Sequence, residues 1–292
     1  MRNIYHDKKQ KNYFNNLNIS ENLLDHFIKK RFSNKIKLLY TNNSDVKLAN
    51  NLNIDYTKKE FIKKFSTQKD YDKIILVALH AFSDAPHGAG YDLMFTDYYS
   101  FYSETLNEIS KSKENILFII RPHPASKLYG EKGITEHLLK KRHFKNIILC
   151  PNVTTQNLIQ ICDTVITMKG TIGLEFAVAG KKPITCGYPS YSNMGITKNF
   201  HTKKNFFLEL QKLSNKDFNL SKKKVNIAKK LLFYLETCLP FKEIETSQFF
   251  QDILLDINNI KSDLIWKKLS KRFNDKVNFS KDKFYLDCLR KL

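Results

Sequence analysis

Between residues 74 and 186, short apolar runs of strand length alternate with longer amphipathic stretches, and a polar or glycine-bearing loop follows the runs. Ile74–Leu79, Asn115–Ile120, Asn146–Cys150, Asp163–Met168 and Lys182–Cys186 predict five strands. The first is apolar without alternation, the pattern of a strand covered on both faces. Helical spacing in the intervening stretches predicts helices at Thr96–Lys111, Ile134–Arg142, Thr155–Cys162 and Leu174–Ala179. Strand, loop and helix repeated in this way predict an α/β fold: a doubly wound parallel sheet, Rossmann-like, over 73–200. In such sheets ligands bind outside the carboxyl ends of the strands. The unusual loops His80–Gly90, Arg121–Gly133, Lys169–Gly173 and Gly187–Gly195 each follow a strand, so they are expected along one edge.

The flanks read differently. In residues 1–72, Ser20 is placed to cap a helix running to Arg31, with Leu23, Leu24, Phe27 and Ile28 on one face. Lys35–Tyr40 predicts a strand and Thr57–Phe65 a short amphipathic helix, but no βαβ series and no chemistry is visible. From about Thr202 the chain is lysine-rich and helical, with candidates at Lys203–Leu213, Lys222–Cys238, Phe241–Ile257 and Ile260–Phe273. Pro240 breaks between the second and third, and Trp266 is expected inside the helical layer. Three regions result: 1–72, 73–200 and 201–292.

A net charge of +20 raises the question of a nucleic-acid partner. The basic excess lies in residues 1–73 and 198–232, while 74–197 is close to neutral. Zinc-finger spacing, an arginine-rich arm and RNP-like aromatic motifs are missing, so nucleic acid is not the expected partner. Solvated surface explains the lysines most simply, and an anionic membrane surface or polymer suits them as partner. No apolar run is long enough to span a bilayer, and Met1–Asn18 carries no apolar signal core. A cytoplasmic location, at the inner face of the membrane, is the expectation. The five cysteines, Cys150, Cys162, Cys186, Cys238 and Cys288, lack Cys-x-x-Cys spacing and read as reduced thiols.

Chemistry concentrates in the loops. In Arg121-Pro122-His123-Pro124 each proline restrains the residue before it, so a cation and an imidazole leave a strand end with little backbone freedom. Such an element suits ligand binding; the plain alternative is a rigid connection with solvated side chains. His80, Asp84 and His87 share one loop and can be read as metal ligands or as candidates for a general base. Pro86 and Gly88 make that loop too irregular for the helical spacing of a zinc protease. Lys169-Gly170-Thr171-Ile172-Gly173-Leu174-Glu175 joins a strand to a helix. Its two glycines would allow close approach of a phosphate, Lys169 adds charge, Thr171 can cap or contact phosphate, and Glu175 can accept from ribose hydroxyls or complement the helix dipole. It is neither a Walker loop nor Gly-x-Gly-x-x-Gly. Tyr188 reads as pocket packing, and Tyr191 as either packing or a stacking surface for a base or sugar.

Taken in order, Leu79-His80-Ala81-Phe82-Ser83-Asp84-Ala85-Pro86-His87, Arg121-Pro122-His123-Pro124, and Lys169 to Glu175 with Gly180-Lys181-Lys182-Pro183 resemble the capsule polysaccharide biosynthesis family. That family includes bacterial Kdo transferases and related glycosyltransferases of GT-B type. The resemblance covers roughly residues 73–200, and its His-Pro element is shared with bacterial sialyltransferases. It implies an inverting, metal-independent transferase without cofactor, using a nucleotide-activated sugar, CMP-linked and Kdo-like, and a glycan or glycolipid acceptor. It also implies association with other polysaccharide-export components.

On this resemblance Arg121, His123, Lys169, Gly170, Thr171, Gly173, Glu175 and Tyr191 bind the donor, while Asp84, His80 or His87 activates the acceptor hydroxyl. Residues 1–72 are shorter than the N-terminal Rossmann domain of a GT-B enzyme. The acceptor side is therefore expected to be reduced, supplied by a partner, or shortened. Two other readings are a CDP-polyol phosphotransferase of teichoic-acid type and a non-enzymatic basic module binding nucleic acid or anionic polymer.

Overall fold

The computed structural model describes residues 14–33, 55–66, 70–84, 94–124, 126, 129–140 and 144–238. The chain divides into two compact units, Met1–Phe32 with Leu52–Phe233, and Ser33–Asn51 with Tyr234–Leu292. Nearly all described residues belong to the first. The expected strand Lys35–Tyr40, the helices Phe241–Ile257 and Ile260–Phe273, and Trp266 lie outside the described residues.

Among the described residues, helices Glu21–Ser33 and Lys58–Phe65 precede the sheet. In α1 (Glu21–Ser33) the Ser20 hydroxyl accepts from the Leu23 N–H at 3.3 Å, so the expected cap forms. Leu24 is buried but Leu23 is 49% exposed, so the apolar face is narrower than the sequence suggested. In α2 (Lys58–Phe65) Thr57 and Glu60 form a reciprocal capping box, and Phe61 and Ile62 are buried.

The sheet has six parallel strands in the order β3-β2-β1-β4-β5-β6. They are β1 (Lys73–Ala78), β2 (Ile116–Arg121), β3 (Ile147–Leu149), β4 (Thr164–Thr167), β5 (Ile184–Thr185) and β6 (Lys198–Asn199). Between them lie α3 (Tyr98–Ser110), α4 (Ile134–Lys140), α5 (Thr155–Ile161) and α6 (Ile172–Val178). After β6 come α7 (Lys203–Leu210) and α8 (Lys222–Phe233), which runs on into a wider π-type turn, Tyr234–Cys238. No described helix is long and apolar enough to cross a membrane.

The unbroken apolar runs have the expected cause. Ile75 and Val77 of β1, with Ile116, Phe118 and Ile120 of β2, pack on one side against α3 and α7. Ile74 and Leu76, with Leu117 and Ile119, pack on the other side against α2, α5 and Phe176 of α6. Ile74 to Val77 are wholly buried, each contributing about 2 kcal/mol of transfer free energy.

The connections through α3 and α4 carry β1 to β2 to β3 in one direction; the chain then returns past β1, and β4 to β6 build the other way. The order reverses between β1 and β4, which places the switch point of the sheet at their carboxyl ends. The short β6 had no apolar run to announce it. Backbone bonds from Lys198 N–H to Pro183 O and from Phe200 N–H to Thr185 O hold it, and the Thr185 hydroxyl donates to Asn199 Oδ1 at 2.8 Å.

Candidate active site at the switch point

Each of β1, β2, β4 and β5 is followed by a loop that reaches the same end of the sheet, and side chains tie these loops to one another. His80 follows β1. Its Nε2 accepts from the Lys169 N–H after β4 at 3.1 Å, so the bond crosses the switch point. The ring stacks on Tyr98 at 4.3 Å between centroids, nearly parallel. Burial, with the charges of His123 and Lys169, pushes its pKa down to about 3. His80 is thus a neutral acceptor whose Nε2 lone pair already carries a structural bond. This geometry makes it a support for the Lys169 turn rather than a base.

Asp84 ends a turn in which its N–H donates to Ala81 O at 3.2 Å, and it is exposed. Its charge is felt at three surrounding groups. It raises the pKa of Tyr98, which burial and Asp84 together push to about 12. It also opposes the lowering of Lys169 and of His123 that burial causes. Asp84, His123 and Lys169 therefore share one electrostatic neighbourhood, built from the loops after β1, β2 and β4. His87 lies outside the described residues.

The His123 imidazole is half-buried. Desolvation lowers its pKa, Asp84 and Glu131 act the other way, and Arg121 lowers it again. Arg121, the last residue of β2, turns its guanidinium to α5, where Nη2 donates to the Thr155 hydroxyl at 2.9 Å. Lys169 is a half-buried cation. Thr171 stands at the cap position of α6, but its backbone is helical, its hydroxyl makes no capping hydrogen bond, and it is exposed.

Four residues expected to contact the donor, Tyr191, Gly173, Gly170 and Glu175, meet neighbours within the fold. Tyr191 is 1% exposed and donates its hydroxyl to Gly170 O at 2.6 Å. Burial pushes the phenol up, with Glu175 and Cys186 adding to the effect. The ring is an internal prop for the turn rather than a stacking surface. Gly173 faces that ring, since a Cβ there would lie 2.1 Å from the Tyr191 hydroxyl oxygen. The Tyr191 ring leaves no room for a side chain at this position. At Gly170 an added Cβ would meet Thr167 Oγ1 at 2.8 Å, again a neighbour within the fold.

Glu175 is 7% exposed, and its Oε1 accepts from Arg31 Nη2 of α1 at 2.8 Å. The carboxylate sits in an ion pair with the N-terminal helix rather than open to a ribose. Arg31 had no signal in the sequence, because its partner is 144 residues away.

Glu131 was also missed, lying in a polar loop between Gly130 and Gly133. It is 6% exposed, and its Oε1 accepts from both the N–H and the hydroxyl of Ser83 at 2.7 Å. Among the described residues no group of three or more His, Cys, Asp or Glu is arranged to hold a metal ion.

Comparison with known proteins adds a family. The sequence profile of a family described as capsule polysaccharide biosynthesis protein matches residues 5–228, more than half of the chain. No curated protein is similar enough to be matched. Among solved structures, the β-Kdo 2,7 transferase of Thermosulfurimonas dismutans KpsC is similar at 24% identity and a TM-score of 0.34, over 57% of this chain and 46% of that one. Its β-Kdo 2,4 transferase is similar at 16% identity and a TM-score of 0.37, over 56% and 46%. The C-terminal domain of a group 1 family glycosyl transferase (LpcC) from Francisella tularensis is similar at 14% identity and a TM-score of 0.35, over 60% and 88%. The chain spans less than half the length of the two KpsC structures.

Proposed function

This chain belongs to the capsule polysaccharide biosynthesis protein family, and we propose that it is a glycosyltransferase whose nucleotide-sugar donor binds at the switch point between β1 and β4. The observation that carries the proposal is that the loops bearing Asp84, His123 and Lys169 follow β1, β2 and β4 at one end of the sheet, with the Lys169 N–H bonded to His80 across the switch point. Family membership supports surface polysaccharide as the product class. The donor is CMP-linked and Kdo-like, and the acceptor is a glycan or glycolipid.

The residues divide the chemistry between anion binding and proton transfer. Lys169 and His123 hold the donor phosphate, with Arg121 adding positive potential from the end of β2. Thr171, exposed at the start of α6, offers a hydroxyl to the same phosphate. Asp84 takes the acceptor hydroxyl proton as that oxygen attacks the anomeric carbon. The bond from that carbon to the phosphate oxygen breaks, the electron pair leaves with CMP, and configuration inverts. Lys169, Arg121 and His123, protonated as the anion binds, serve at the leaving phosphate the role a divalent cation serves elsewhere, so the reaction is written without metal.

His123 has a lowered pKa before ligand arrives. An incoming anion raises it, so binding is coupled to proton uptake and tightens as pH falls. The GT-B arrangement, with the acceptor presented by a second domain or a partner at the inner face of the membrane, belongs to the same proposal.

Isothermal titration of the full chain with CMP, CDP and UDP is the test. The expected result is CMP binding that weakens at least about tenfold in His123→Ala, equivalent to about 1.4 kcal/mol. Binding of none of the three, or an unchanged affinity in His123→Ala, rules the proposal out.

A further inference from the structure

Glu131 belongs to the loop after β2, yet its carboxylate is spent on the loop after β1. Oε1 receives two donors from Ser83, the residue immediately before Asp84. The Glu131 N–H donates to Ser126 O at 2.9 Å, which fixes its own loop. Gly130 and Gly133, at φ +73° and +89°, bring the chain in and out of this position, where a side chain would strain the backbone.

A buried carboxylate is costly unless donors are aimed at it. Here burial opposes ionisation, but the two Ser83 donors on Oε1 lead the contacts that hold the carboxyl below its ordinary value, while Oε2 is buried without a hydrogen-bond partner. Glu131 is therefore a fixed negative charge, held under the site rather than exposed at it.

We propose that Glu131 is a positioning residue: by clamping Ser83 it fixes the loop that carries Asp84 against the loop that carries His123. The inference rests on the reading of Asp84 and His123 as site residues. Among the described residues, the charges of Asp84 and Glu131 favour the protonated form of His123, and that of Arg121 opposes it. Neutral His80 adjoins it from the β1 side. Loss of the Glu131 charge thus lowers the proton affinity of His123, whereas loss of the Ser83 hydroxyl leaves that charge in place.

The experiment follows the His123 ring nitrogens by NMR across a pH series in the full chain, together with hydrogen exchange of the Ser83 amide. In Glu131→Gln the His123 midpoint is expected to fall by about half a pH unit or more. In Ser83→Ala, which keeps the Ser83 N–H bond and the Glu131 charge, the fall is expected to be smaller than in Glu131→Gln. In Glu131→Ala the Ser83 amide is expected to exchange at least about tenfold faster. Should Glu131→Ala fail to fold, the Glu131→Gln titration still decides. An unmoved His123 midpoint in Glu131→Gln overturns the proposal. Neither readout uses a nucleotide, so failure of the glycosyltransferase reading would appear separately, as wild-type protein that does not bind CMP.

Discussion

Gly173 is the position where a ligand-binding account and a packing account of the Lys169–Gly173 turn differ most, and Gly173→Ala separates them. In a helix, alanine in place of glycine ordinarily stabilises by about 1 kcal/mol. Here the new Cβ would sit 2.1 Å from the Tyr191 hydroxyl oxygen, 2.9 Å from Cζ and 3.2 Å from Cε2. The tyrosine has no room to give, being 1% exposed and donating to Gly170 O. Overpacking of this kind costs about 1–3 kcal/mol. Dislodging the hydroxyl leaves the Gly170 carbonyl without that donor, for about 1 kcal/mol more.

The net expectation is a loss of about 2 kcal/mol after the helix gain, a fall in Tm on the order of 5 °C. Tyr191→Phe alone is expected to cost about 1–2 kcal/mol through the lost hydrogen bond. In the double variant the oxygen is gone and the nearest ring atom is the carbon at 2.9 Å. The double variant should therefore be more stable than the sum of the single effects predicts, by about 1 kcal/mol or more. Urea denaturation of the four proteins measures the cycle. Additive effects refute the packing argument. So does a Gly173→Ala protein of wild-type stability that has lost CMP binding, which would return the glycine to the ligand.

Other parts of the account make separate predictions. Arg31→Met removes the guanidinium from the Glu175 carboxylate, which is 9% exposed at its side chain; with Arg31 itself 21% exposed, the expected loss is about 2 kcal/mol by chemical denaturation. His80, depressed to about 3 in the fold, gives stability that is full above the ordinary histidine value and lost as pH falls below it. At pH 5 that loss is about 2 kcal/mol relative to pH 7.5, and the stability difference between wild type and His80→Asn should shrink by that amount. CMP affinity should rise as pH drops from 8 toward 6, while the slope attributable to His123 disappears in His123→Ala; a slope unchanged in the variant contradicts the coupling.

The sheet was legible because its central strands are buried on both faces. Ile74–Leu79 and Asn115–Ile120 could be read as strands from unbroken apolar character alone. Their neighbours were less clear, since β5 and β6 are two residues each and β6 carries no apolar side chain. Of the loops, the sequence shows which follow a strand, and topology then fixes which of them share an edge.

What a linear reading could not supply was the internal commitment of side chains. Tyr191 in a glycine- and proline-bearing loop can face solvent or the core, and the Gly170 carbonyl that decides the matter is 21 residues away. Glu175 shows the same difficulty, since only folding brings Arg31 to it. His80 looked like a base because it sits at a strand end. It is a support because the Lys169 N–H arrives from across the switch point. Glu131 gave no signal beyond its two flanking glycines, which mark a tight loop but not what the loop holds.

The central claim is that a nucleotide phosphate sits between the ends of β1 and β4, held by His123 and Lys169. A crystal structure of the full chain soaked or grown with CMP tests it most directly. The account predicts phosphate oxygens within hydrogen-bonding distance of the His123 ring and Lys169 Nζ, with the His80 to Lys169 and Tyr191 to Gly170 bonds intact. A phosphate bound at the opposite end of the sheet, or at the lysines of α8 with His123 and Lys169 uninvolved, would contradict it.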